Sequence, residues 1–394
     1  MNKKKEIVPK FRFPKYVNSE QWISTELSSL LDYERPDLYI VESDNYKNEG
    51  IPVLTANKSF ILGYTDEKNN IYSRVPVIIF DDFTTEKKYV DFPFKVKSSA
   101  IKILKPKGNN VLKFVFELMN TINFEAKEHK RYYISTYQKL FVYVPEDVKE
   151  QQKIADCLSS IDELIDAESR KLKALEKYKK GLMQKLFPAE GKTLPEWRFP
   201  EFKHCGNWEQ ATLTKVAFYE NGKAHENYIE EYGKYIVVNS KFIATDGEVT
   251  KHSNTANLLA KRGDILMVLS DVPNGRALAK CYFVDENDKY TVNQRICRLR
   301  PYDIDSLFLF YYVNRNKYFL DFDDGVKQTN LKKSDVLACL LLKPKEKREQ
   351  QKIADCLSEI DTMITEQLKK IERLETHKKG LLQGLFPSLE EVDV

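Results

Sequence analysis

The chain has 394 residues, of which 42% are hydrophobic and 31% are charged. This composition is typical of two or three folded domains and excludes a largely disordered protein. The net charge at pH 7 is only +4, so a surface that binds nucleic acid must be a local patch rather than a global excess of positive charge.

The sequence lacks the signals of membrane, secreted and metal-binding proteins. It has no run of about 18 apolar residues, and its basic N-terminus has no apolar segment of a secretory signal. We therefore expect a cytoplasmic location. The six cysteines form no Cys-x-x-Cys pair and the five histidines have no metal-ligand spacing, so we expect neither a disulfide framework nor a metal site.

Each half of the chain opens with the same short segment. Residues 9–14 read Pro-Lys-Phe-Arg-Phe-Pro, and residues 195–200 read Pro-Glu-Trp-Arg-Phe-Pro. Eight residues after each final proline comes a tryptophan, Trp22 in the first half and Trp208 in the second. The recurrence indicates that the whole chain is a duplication.

A variable globular region follows each opening segment. Globule one covers about residues 15–145 and globule two about residues 201–344, each with short runs typical of strands bounded by turn residues. A helix is predicted over Leu112–Ile122 in globule one, and one helix over Asp305–Tyr318 is its counterpart in globule two. The order of elements matches while most residues differ, which is expected of two copies of one fold that bind different ligands.

Each globule is followed by a long helix, and the two helices are the strongest repeat in the chain. Residues 150–188 and 349–387 align without a gap, and 24 of the 39 positions are identical. Apolar residues recur at steps of three and four, which is the seam of a coiled coil. The seam residues are Ile154, Leu158, Ile161, Ile165, Leu172 and Leu175 in the first helix and Ile353, Leu357, Ile360, Ile364, Ile371 and Leu374 in the second.

Such a seam needs a partner, because each exposed Leu or Ile side chain forgoes roughly 1.5–3 kcal/mol of burial. The simplest partner is the other helix, in an antiparallel pair. Glu168 and Gln367 interrupt the two seams at equivalent positions, would meet at the centre of that pair and could fix its register. The alternative is that each helix packs on its own globule.

Several enzyme-like signals fail on inspection. Gly191-Lys192-Thr193 resembles the end of a phosphate-binding loop, but that loop needs a glycine where Leu186 stands. No glycine-rich nucleotide or S-adenosylmethionine loop occurs. The adjacent carboxylates Asp81-Asp82 and Asp323-Asp324 are typical of turns.

Loops rich in amide and basic residues are the better candidates for function. Asn, Gln and Arg can form paired hydrogen bonds with base edges, while Lys and Ser can contact phosphates. The candidates in globule one are Asn57, Lys58, Ser73, Arg74, Lys87, Lys88, Lys130, Arg131 and Tyr132. Those in globule two are Asn239, Lys241, Lys251, Ser253, Asn274, Arg276, Lys327, Gln328 and Asn330. Each loop alone is also typical of a solvated turn, and it is their recurrence in both globules that favours contact with double-stranded DNA.

An antiparallel pair of helices would place the globules at its opposite ends, related by a pseudo-twofold axis. Duplex DNA has its own local twofold axes, so each globule could contact one half-site. Because the globules differ in sequence, we expect the two half-sites to differ.

End to end, the chain resembles the specificity (S) subunit of a type I restriction–modification system. The resemblance rests on the paired Glu-Gln-Gln-Lys-Ile-Ala-Asp-Cys-Leu-Ser helices, the Arg-Phe-Pro segments and the loop at residues 325–331. No equivalent of that loop is evident in the sequence of globule one. The implied fold class is α+β, with two α/β target-recognition globules joined by two long antiparallel helices that form a coiled-coil spacer. The implied domains are target-recognition domain 1 at residues 1–145, spacer helix 1 at 146–188, target-recognition domain 2 at 189–344 with a linker at 189–200, spacer helix 2 at 345–387 and a tail at 388–394.

The resemblance also implies partners. Two modification (M) subunits, which bind S-adenosylmethionine, would methylate one adenine in each half-site, and restriction (R) subunits, which use ATP and Mg²⁺, would cleave the DNA. The S subunit itself would be non-catalytic and hold no cofactor. Two other classes remain open: a DNA-binding scaffold without a partner methyltransferase, and an interaction protein that uses the coiled coil for assembly and does not bind nucleic acid.

Overall fold

The computed structural model of this chain describes residues 7–57 and 59–388. Lys58 and most of the predicted tail therefore lie outside the described residues. The chain divides into two compact units. Unit one contains residues up to Arg170 together with those from Leu368 onward, and unit two contains Lys171–Gln367. Each unit thus combines one globule with part of each long helix.

Globule one is an α+β fold built on a mixed set of short strands. Its elements are β1 (Ile23–Glu26), β2 (Leu31–Glu34), β3 (Ile51–Leu54), β4 (Ile61–Thr65), β5 (Val77–Asp81), β6 (Lys87–Val90), β7 (Lys95–Val96), β8 (Ile101–Pro106), α1 (Leu112–Thr121) and β9 (Phe141–Val144). The main sheet is antiparallel in the order β2-β8-β5-β6. A second sheet has the order β4-β3-β7, and β1 pairs with β9.

The central strand β5 is apolar on both faces because each face packs on a different layer. Ile78 and Phe80 point into a core that includes Phe114 of α1, whereas Val77 and Ile79 belong to a second core. All five residues of β5 are buried. Alternation of side chains across a strand therefore places the sheet between the helix and the smaller sheet.

The first long helix, α2 (Val148–Leu186), follows globule one. It has no internal proline and ends just before Pro188, where the proline ring prevents another helical turn.

Globule two repeats the sheet topology of globule one. Its elements are β10 (Glu209–Thr212), β11 (Ala217–Asn221), β12 (Tyr235–Val238), α3 (Ser240–Ala244), β13 (His252–Ser253), β14 (Ile265–Val268), β15 (Ser270–Asp271), β16 (Cys281–Phe283), β17 (Tyr290–Val292), β18 (Ile296–Pro301), α4 (Ser306–Val313), α5 (Lys317–Leu320), β19 (Thr329–Asn330), α6 (Lys333–Leu337) and β20 (Leu340–Lys343). The strand orders β11-β18-β14-β16, β13-β12-β17 and β10-β20 match those of globule one, and β15-β19 is an additional pair. The second long helix, α7 (Lys347–Leu385), follows. The predicted α+β fold with two similar globules and two long helices is confirmed.

The single helix predicted over Asp305–Tyr318 is wrong, because the chain breaks between α4 and α5. Arg315 has a left-handed φ of 57°, and its amide donates to the carbonyl oxygen of Ala279, 2.9 Å away. The Asn314 side chain accepts a hydrogen bond from the amide of Cys281 at 3.0 Å. These contacts with a neighbouring strand end the helix even though the apolar pattern continues.

A buried ion pair explains why the opening segment, the tryptophan and the first residue of the helix repeat recur together. In unit one the Arg12 guanidinium donates two hydrogen bonds of 2.8 Å to the Glu150 carboxylate. The Trp22 indole donates to the same carboxylate at 3.4 Å. The side chain of Glu150 is only 2% exposed and that of Arg12 only 8%.

Unit two contains the same arrangement at the repeat-equivalent positions. Arg198 donates two hydrogen bonds of 2.7 Å to Glu349, and Trp208 donates a third at 3.3 Å. We call this three-residue arrangement the Arg-Glu-Trp clamp. In each unit it ties the opening segment and its globule to the first turn of a long helix.

The glutamine after each clamp glutamate links the helix to two other elements. In unit one the Gln151 side chain accepts from the amide of Val111, which precedes α1, at 3.1 Å and donates to the Pro145 carbonyl at 3.2 Å. In unit two Gln350 makes the equivalent bonds with Asp305 and Pro344, at 2.8 and 2.7 Å. The Glu-Gln pair that begins each repeat therefore has a structural role.

The apolar seams serve both of the roles left open by the sequence. Ile154 and Leu158 are buried in the core of globule one, and Ile353 and Leu357 are buried in that of globule two. Further along, the seam is half-buried at Ile161, Ile165, Leu172, Leu175, Ile364, Ile371 and Leu374 and buried at Ile360. Partial burial is expected of a two-helix pair.

Ion pairs between the two helices show that they run antiparallel. In unit one Asp162 pairs with Lys378 at 2.6 Å, and Glu168 pairs with Lys370 at 2.6 Å, so residue numbers rise along one helix as they fall along the other. In unit two Lys179 pairs with Asp361. The predicted meeting of Glu168 with Gln367 stays a prediction.

The ion pair between Asp162 and Lys378 in unit one also contacts two residues of globule one. Glu117 of α1 is fully buried and lies 2.8 Å from Lys113 and 3.5 Å from Lys378. Lys113 also pairs with Asp162 at 2.9 Å. Burial alone raises the pKa of Asp162, but hydrogen bonds from Lys378 and Lys113 outweigh burial and hold the pKa below its usual value. We call these four residues the helix joint of unit one.

We expect Glu150→Ala to destabilise unit one by about 3–5 kcal/mol, because it leaves the Arg12 guanidinium buried without its carboxylate partner. Urea unfolding, with amide hydrogen exchange along residues 148–158 as a local readout, measures the change. Glu163→Ala removes an exposed glutamate from the same helix and is the matched control, with an expected change within about 0.5 kcal/mol. Equal effects of the two substitutions would contradict a structural role for the clamp.

We expect the contribution of Asp162 to stability to disappear in acid. Because its pKa is lower in the folded chain than in the unfolded chain, the stabilisation is complete above about pH 4 and is lost as the pH falls through the folded pKa. The difference in unfolding free energy between the wild type and Asp162→Asn should therefore be constant between about pH 5 and 7 and shrink below about pH 4. Asp166→Asn, at an exposed position of the same helix, is the matched control, and a difference between the wild type and Asp162→Asn that widened in acid would refute the assignment.

Candidate nucleic-acid interface

A tight loop follows β15 in unit two, and one carboxylate fixes its backbone. Asp271 accepts hydrogen bonds from the amides of Val272 at 2.9 Å, Ala277 at 2.6 Å and Leu278 at 3.1 Å. A Cβ atom at Gly275 would lie 2.1 Å from an Asp271 oxygen, so a larger residue there would displace the carboxylate that holds the loop. The loop over residues 272–276, here called the Asn-Gly-Arg loop, thus has a defined conformation.

A second loop over residues 323–330, here called the Lys-Gln loop, is fixed in the same way. Asp323 accepts from the amide of Gly325 at 3.0 Å. Asp324 accepts from the amides of Val326 at 2.9 Å and Lys327 at 3.1 Å, and these bonds lower its pKa. Both aspartates therefore serve as turn residues, as their adjacency in the sequence predicts.

The two loops are joined to each other. The Asn274 amide donates to the Asp323 carboxylate at 3.1 Å, and the Asn274 side chain donates to the Gly325 carbonyl at 3.3 Å. At their base, β15 pairs with β19, and the Gln328 side chain donates to the Ser270 hydroxyl at 2.6 Å. The structure therefore brings together the predicted site residues Asn274, Arg276, Lys327, Gln328 and Asn330.

The cations of this cluster face solvent. Arg276 and Lys327 are exposed, and neither forms an ion pair with a carboxylate in the described part of the chain. Gln328 already bonds Ser270, so its amide is partly committed to holding the loop. Arg276 and Lys327 are therefore the groups of this cluster that can most readily contact a ligand.

The remaining candidates of globule two have mixed roles. Asn239 caps α3 by accepting from the amide of Phe242 at 2.9 Å. Ser253 is fully buried and bonds within its own turn, to Thr255. Lys241 and Lys251 are exposed and remain available for contacts with phosphates.

Sequence reasoning missed the run Asn293-Gln294-Arg295. The amide of Asn293 donates to the Val238 carbonyl at 3.1 Å, and the carbonyl of Arg295 accepts from Leu269, next to β15, at 2.9 Å. The Arg295 side chain is exposed. This run could have been found in the sequence, because Asn293, Gln294 and Arg295 directly follow the strand-like residues 290–292.

Unit one forms a corresponding cluster on the turn between β5 and β6. Asp81 accepts from the amides of Phe83 and Thr84, each at 2.9 Å, and the Thr84 hydroxyl lies 3.3 Å from the Asn57 side-chain oxygen. The Phe83 ring stacks on His129 with centroids 4.7 Å apart. The Arg131 guanidinium lies 5.8 Å from the centre of the Phe83 ring.

The sequence of globule one shows no evident equivalent of the Lys-Gln loop, but the structure has a counterpart at residues 128–133. The amide of Tyr132 donates to the Asp82 carbonyl and that of Tyr133 to the Asp82 carboxylate, each at 2.8 Å. Asp82 follows β5 much as β15 follows β14, so this loop holds the place that the Lys-Gln loop holds in globule two. The shared feature is the path of the backbone rather than any residue.

Of the other candidates in globule one, several are committed to contacts within the unit. Tyr132 is buried, and its hydroxyl donates to the Glu128 carbonyl at 2.9 Å. Lys130 pairs with Glu128 at 2.7 Å. Arg74 bonds Glu34 at 2.6 Å and the Tyr39 hydroxyl at 2.9 Å.

The last three candidates of globule one are exposed or half-buried. Ser73 is exposed, and Lys87 and Lys88 are half-buried at the start of β6. Burial lowers the pKa of Lys87. Among the described residues Asn57 and Arg131 therefore form the cluster, and Lys87 and Lys88 stand at the base of its turn.

None of the described helices has an apolar stretch of the length that crossing a membrane requires. No group of three or more His, Cys, Asp or Glu side chains in the described ranges is arranged to hold a metal ion.

Comparison with known proteins identifies the family. The model of the type I restriction modification DNA specificity domain matches twice, at residues 19–177 and 206–376. The EcoR124I/EcoR124II type I restriction enzyme specificity subunit of Escherichia coli is 35% identical over 254 residues, which cover 60% of this chain and 61% of that protein. The MjaVIII specificity subunit of Methanocaldococcus jannaschii is 26% identical over 260 residues, which cover 61% of this chain and 60% of that protein. The chain thus spans about three fifths of the length of these relatives.

A solved structure agrees with the fold. The S subunit of a type I restriction–modification system from M. genitalium superposes with a TM-score of 0.67 at 17% identity, over 97% of this chain and all of that chain. At this identity the likeness concerns the fold alone. Together with the repeated family match, which covers more than half of the residues, it shows that the chain belongs to the family of the type I restriction modification DNA specificity domain.

Proposed function

We propose that this chain is the DNA-reading, non-catalytic subunit of a type I restriction–modification complex. One observation carries the proposal: two globules of one fold each bring amide and cationic side chains onto adjoining loops, at corresponding places in their sheets. In globule two these are the Asn-Gly-Arg and Lys-Gln loops, and in globule one they are the loops that hold Asn57 and Arg131.

The chemistry of these side chains suits recognition of a duplex. An arginine can donate two parallel hydrogen bonds to the guanine edge, and an asparagine or glutamine can pair with the adenine edge. Exposed lysines such as Lys241, Lys251 and Lys327 suit phosphate contacts, which position the protein without reading sequence. Because the two clusters share no residue pattern, the half-sites they read differ, and the complete target is bipartite and asymmetric.

The long helices set the distance between the half-sites in this proposal. The target-recognition domains then comprise residues 1–145 and 189–344, and the spacer helices comprise residues 146–188 and 345–387. The clamps and the helix joint support such a role, because each fixes a globule to the helices through ion pairs of largely buried side chains. The helices can set this distance only if each globule is held rigidly where it is attached to them.

The names of the relatives, which are specificity subunits of type I restriction enzymes, support assembly with the other subunits of such a complex. Two M subunits supply S-adenosylmethionine and methylate one adenine in each half-site. R subunits supply the ATP- and Mg²⁺-dependent cleavage. The chain itself holds no cofactor and acts with these partners on DNA in the cytoplasm.

The function is tested by single-molecule methylome sequencing of cells that express this chain with its neighbouring M subunit. A split motif with methyladenine in each half, lost on deletion of this gene, is the expected result. A stable complex without methylation would favour the scaffold that lacks a partner methyltransferase. Absence of salt-dependent DNA binding would favour the interaction protein, since phosphate contacts make affinity fall steeply with salt.

We expect Arg276→Ala and Arg131→Ala to relax opposite halves of the motif. Each substitution removes an exposed guanidinium from one cluster and should cost about 1–3 kcal/mol of discrimination in one half-site. The methylome of each variant is the readout. Loss of both halves with either substitution would show that the globules do not read independently, and Arg170→Ala, at an exposed position on α2, is the control expected to leave both halves unchanged.

A further inference from the structure

Two valines in the joined loops of globule two are largely exposed and lie outside the hydrophobic cores that the described residues form. Val272, in the Asn-Gly-Arg loop, is 63% exposed, and Val326, in the Lys-Gln loop, is 74% exposed. Neither residue belongs to one of the hydrophobic cores of unit two. The conformation of the loops does not explain the choice of valine, because the loops are held by backbone amides.

The backbone of both valines is nevertheless fixed. Val272 donates its amide to Asp271 at 2.9 Å, and its carbonyl accepts from Gly275 at 2.9 Å. Val326 donates its amide to Asp324 at 2.9 Å. A valine side chain has restricted rotation about its first bond, so both pairs of methyl groups are presented in nearly constant positions. Contact with a ligand would therefore cost little conformational entropy.

The surroundings restrict the class of ligand. Asn274 links the two loops, and exposed Arg276 and Lys327 flank the valines. Two exposed side chains are far fewer than the roughly 20–30 residues per side of a stable protein interface. The site therefore fits a polar surface that carries small, isolated apolar groups beside negative charge.

The major-groove edge of DNA is such a surface. The C5-methyl group of thymine projects into the groove among hydrogen-bond donors and acceptors, and phosphates line the groove on both sides. Asp271 at the end of β15 and Asp323 and Asp324 in the Lys-Gln loop accept hydrogen bonds from backbone amides. These carboxylates are committed to the backbone amides, so Arg276 and Lys327 are the charged groups that can contact DNA beside the valines.

We propose that Val272 and Val326 recognise thymine methyl groups in the half-site that globule two reads. The inference rests on the proposed function, and it adds two specificity-determining residues to it. The corresponding turn of globule one has Phe83, whose ring is already engaged by His129 and Arg131. The methyl contact is therefore expected in one half-site only.

The test uses the complex of this chain with its M subunit and duplexes that carry the motif found by methylome sequencing. In one duplex every thymine of the globule-two half-site, as assigned by Arg276→Ala, is replaced by deoxyuridine, which lacks the methyl group. In a second duplex every thymine of the other half-site is replaced by deoxyuridine. A third duplex has 5-bromodeoxyuridine in the globule-two half-site, because bromine has about the size of a methyl group. Dissociation constants are measured at one fixed salt concentration.

We expect deoxyuridine in the globule-two half-site to weaken binding roughly three- to fivefold for each contacted thymine, since each lost methyl contact forgoes about 0.8 kcal/mol. 5-Bromodeoxyuridine should restore the affinity, and deoxyuridine in the other half-site should have no comparable effect. In the Val272→Ala, Val326→Ala double variant the deoxyuridine penalty should disappear. Val17→Ala, at an exposed valine of unit one, is the matched control and should keep the penalty.

Three outcomes would overturn the inference while leaving DNA reading intact: sequence-specific binding that is insensitive to deoxyuridine, a penalty that persists in the double variant, or a globule-two half-site without a T·A pair. Failure of every duplex to bind with sequence preference would instead overturn the proposed function, and the inference with it.

Discussion

The buried carboxylate at the start of each long helix is the constraint on which the rest of the structure depends. Glu150 accepts from a guanidinium and an indole inside the protein, and Glu349 does the same in unit two. Each glutamate lies in the first turn of its helix, where the helix dipole also favours negative charge. An unpaired charge at such a site is costly, so the opening segment, the globule and the helix can adopt only the arrangement in which all three groups meet.

The fold could be predicted to the extent that its determinants recur in the sequence. The long helices follow from the seam and the repeat, and the similarity of the globules follows from the order of elements. The clamp was harder to predict from the sequence, because Arg12 and Glu150 are 138 positions apart and only their joint recurrence links them. The break after α4 could not be predicted from the apolar pattern, because hydrogen bonds of Asn314 and Arg315 with a neighbouring strand cause it.

The residue types of the candidate site could be predicted from the sequence. Which of these side chains are exposed and able to contact a ligand could not. The two loops of globule two were recognisable as polar turns, yet nothing in the sequence indicates that Asn274 joins them. Tyr132 stands in a basic run and resembles a contact residue, but its ring is buried and its hydroxyl bonds Glu128. In globule one, residues 128–133 share a backbone path rather than a pattern with the Lys-Gln loop, so only the structure relates them.

The way in which these loops are held separates stability from recognition. Asp271, Asp323 and Asp324 bind backbone amides, and a backbone amide is present whichever side chain a residue has. Replacing the side chains at Val272, Arg276, Val326 or Lys327 therefore leaves the bonds that shape the loops in place. Beneath the loops, β14 is buried at every position, and the clamps fix the globules to the helices. Under the proposed function, a duplicated chain built in this way can change what each half recognises without weakening the framework that positions it.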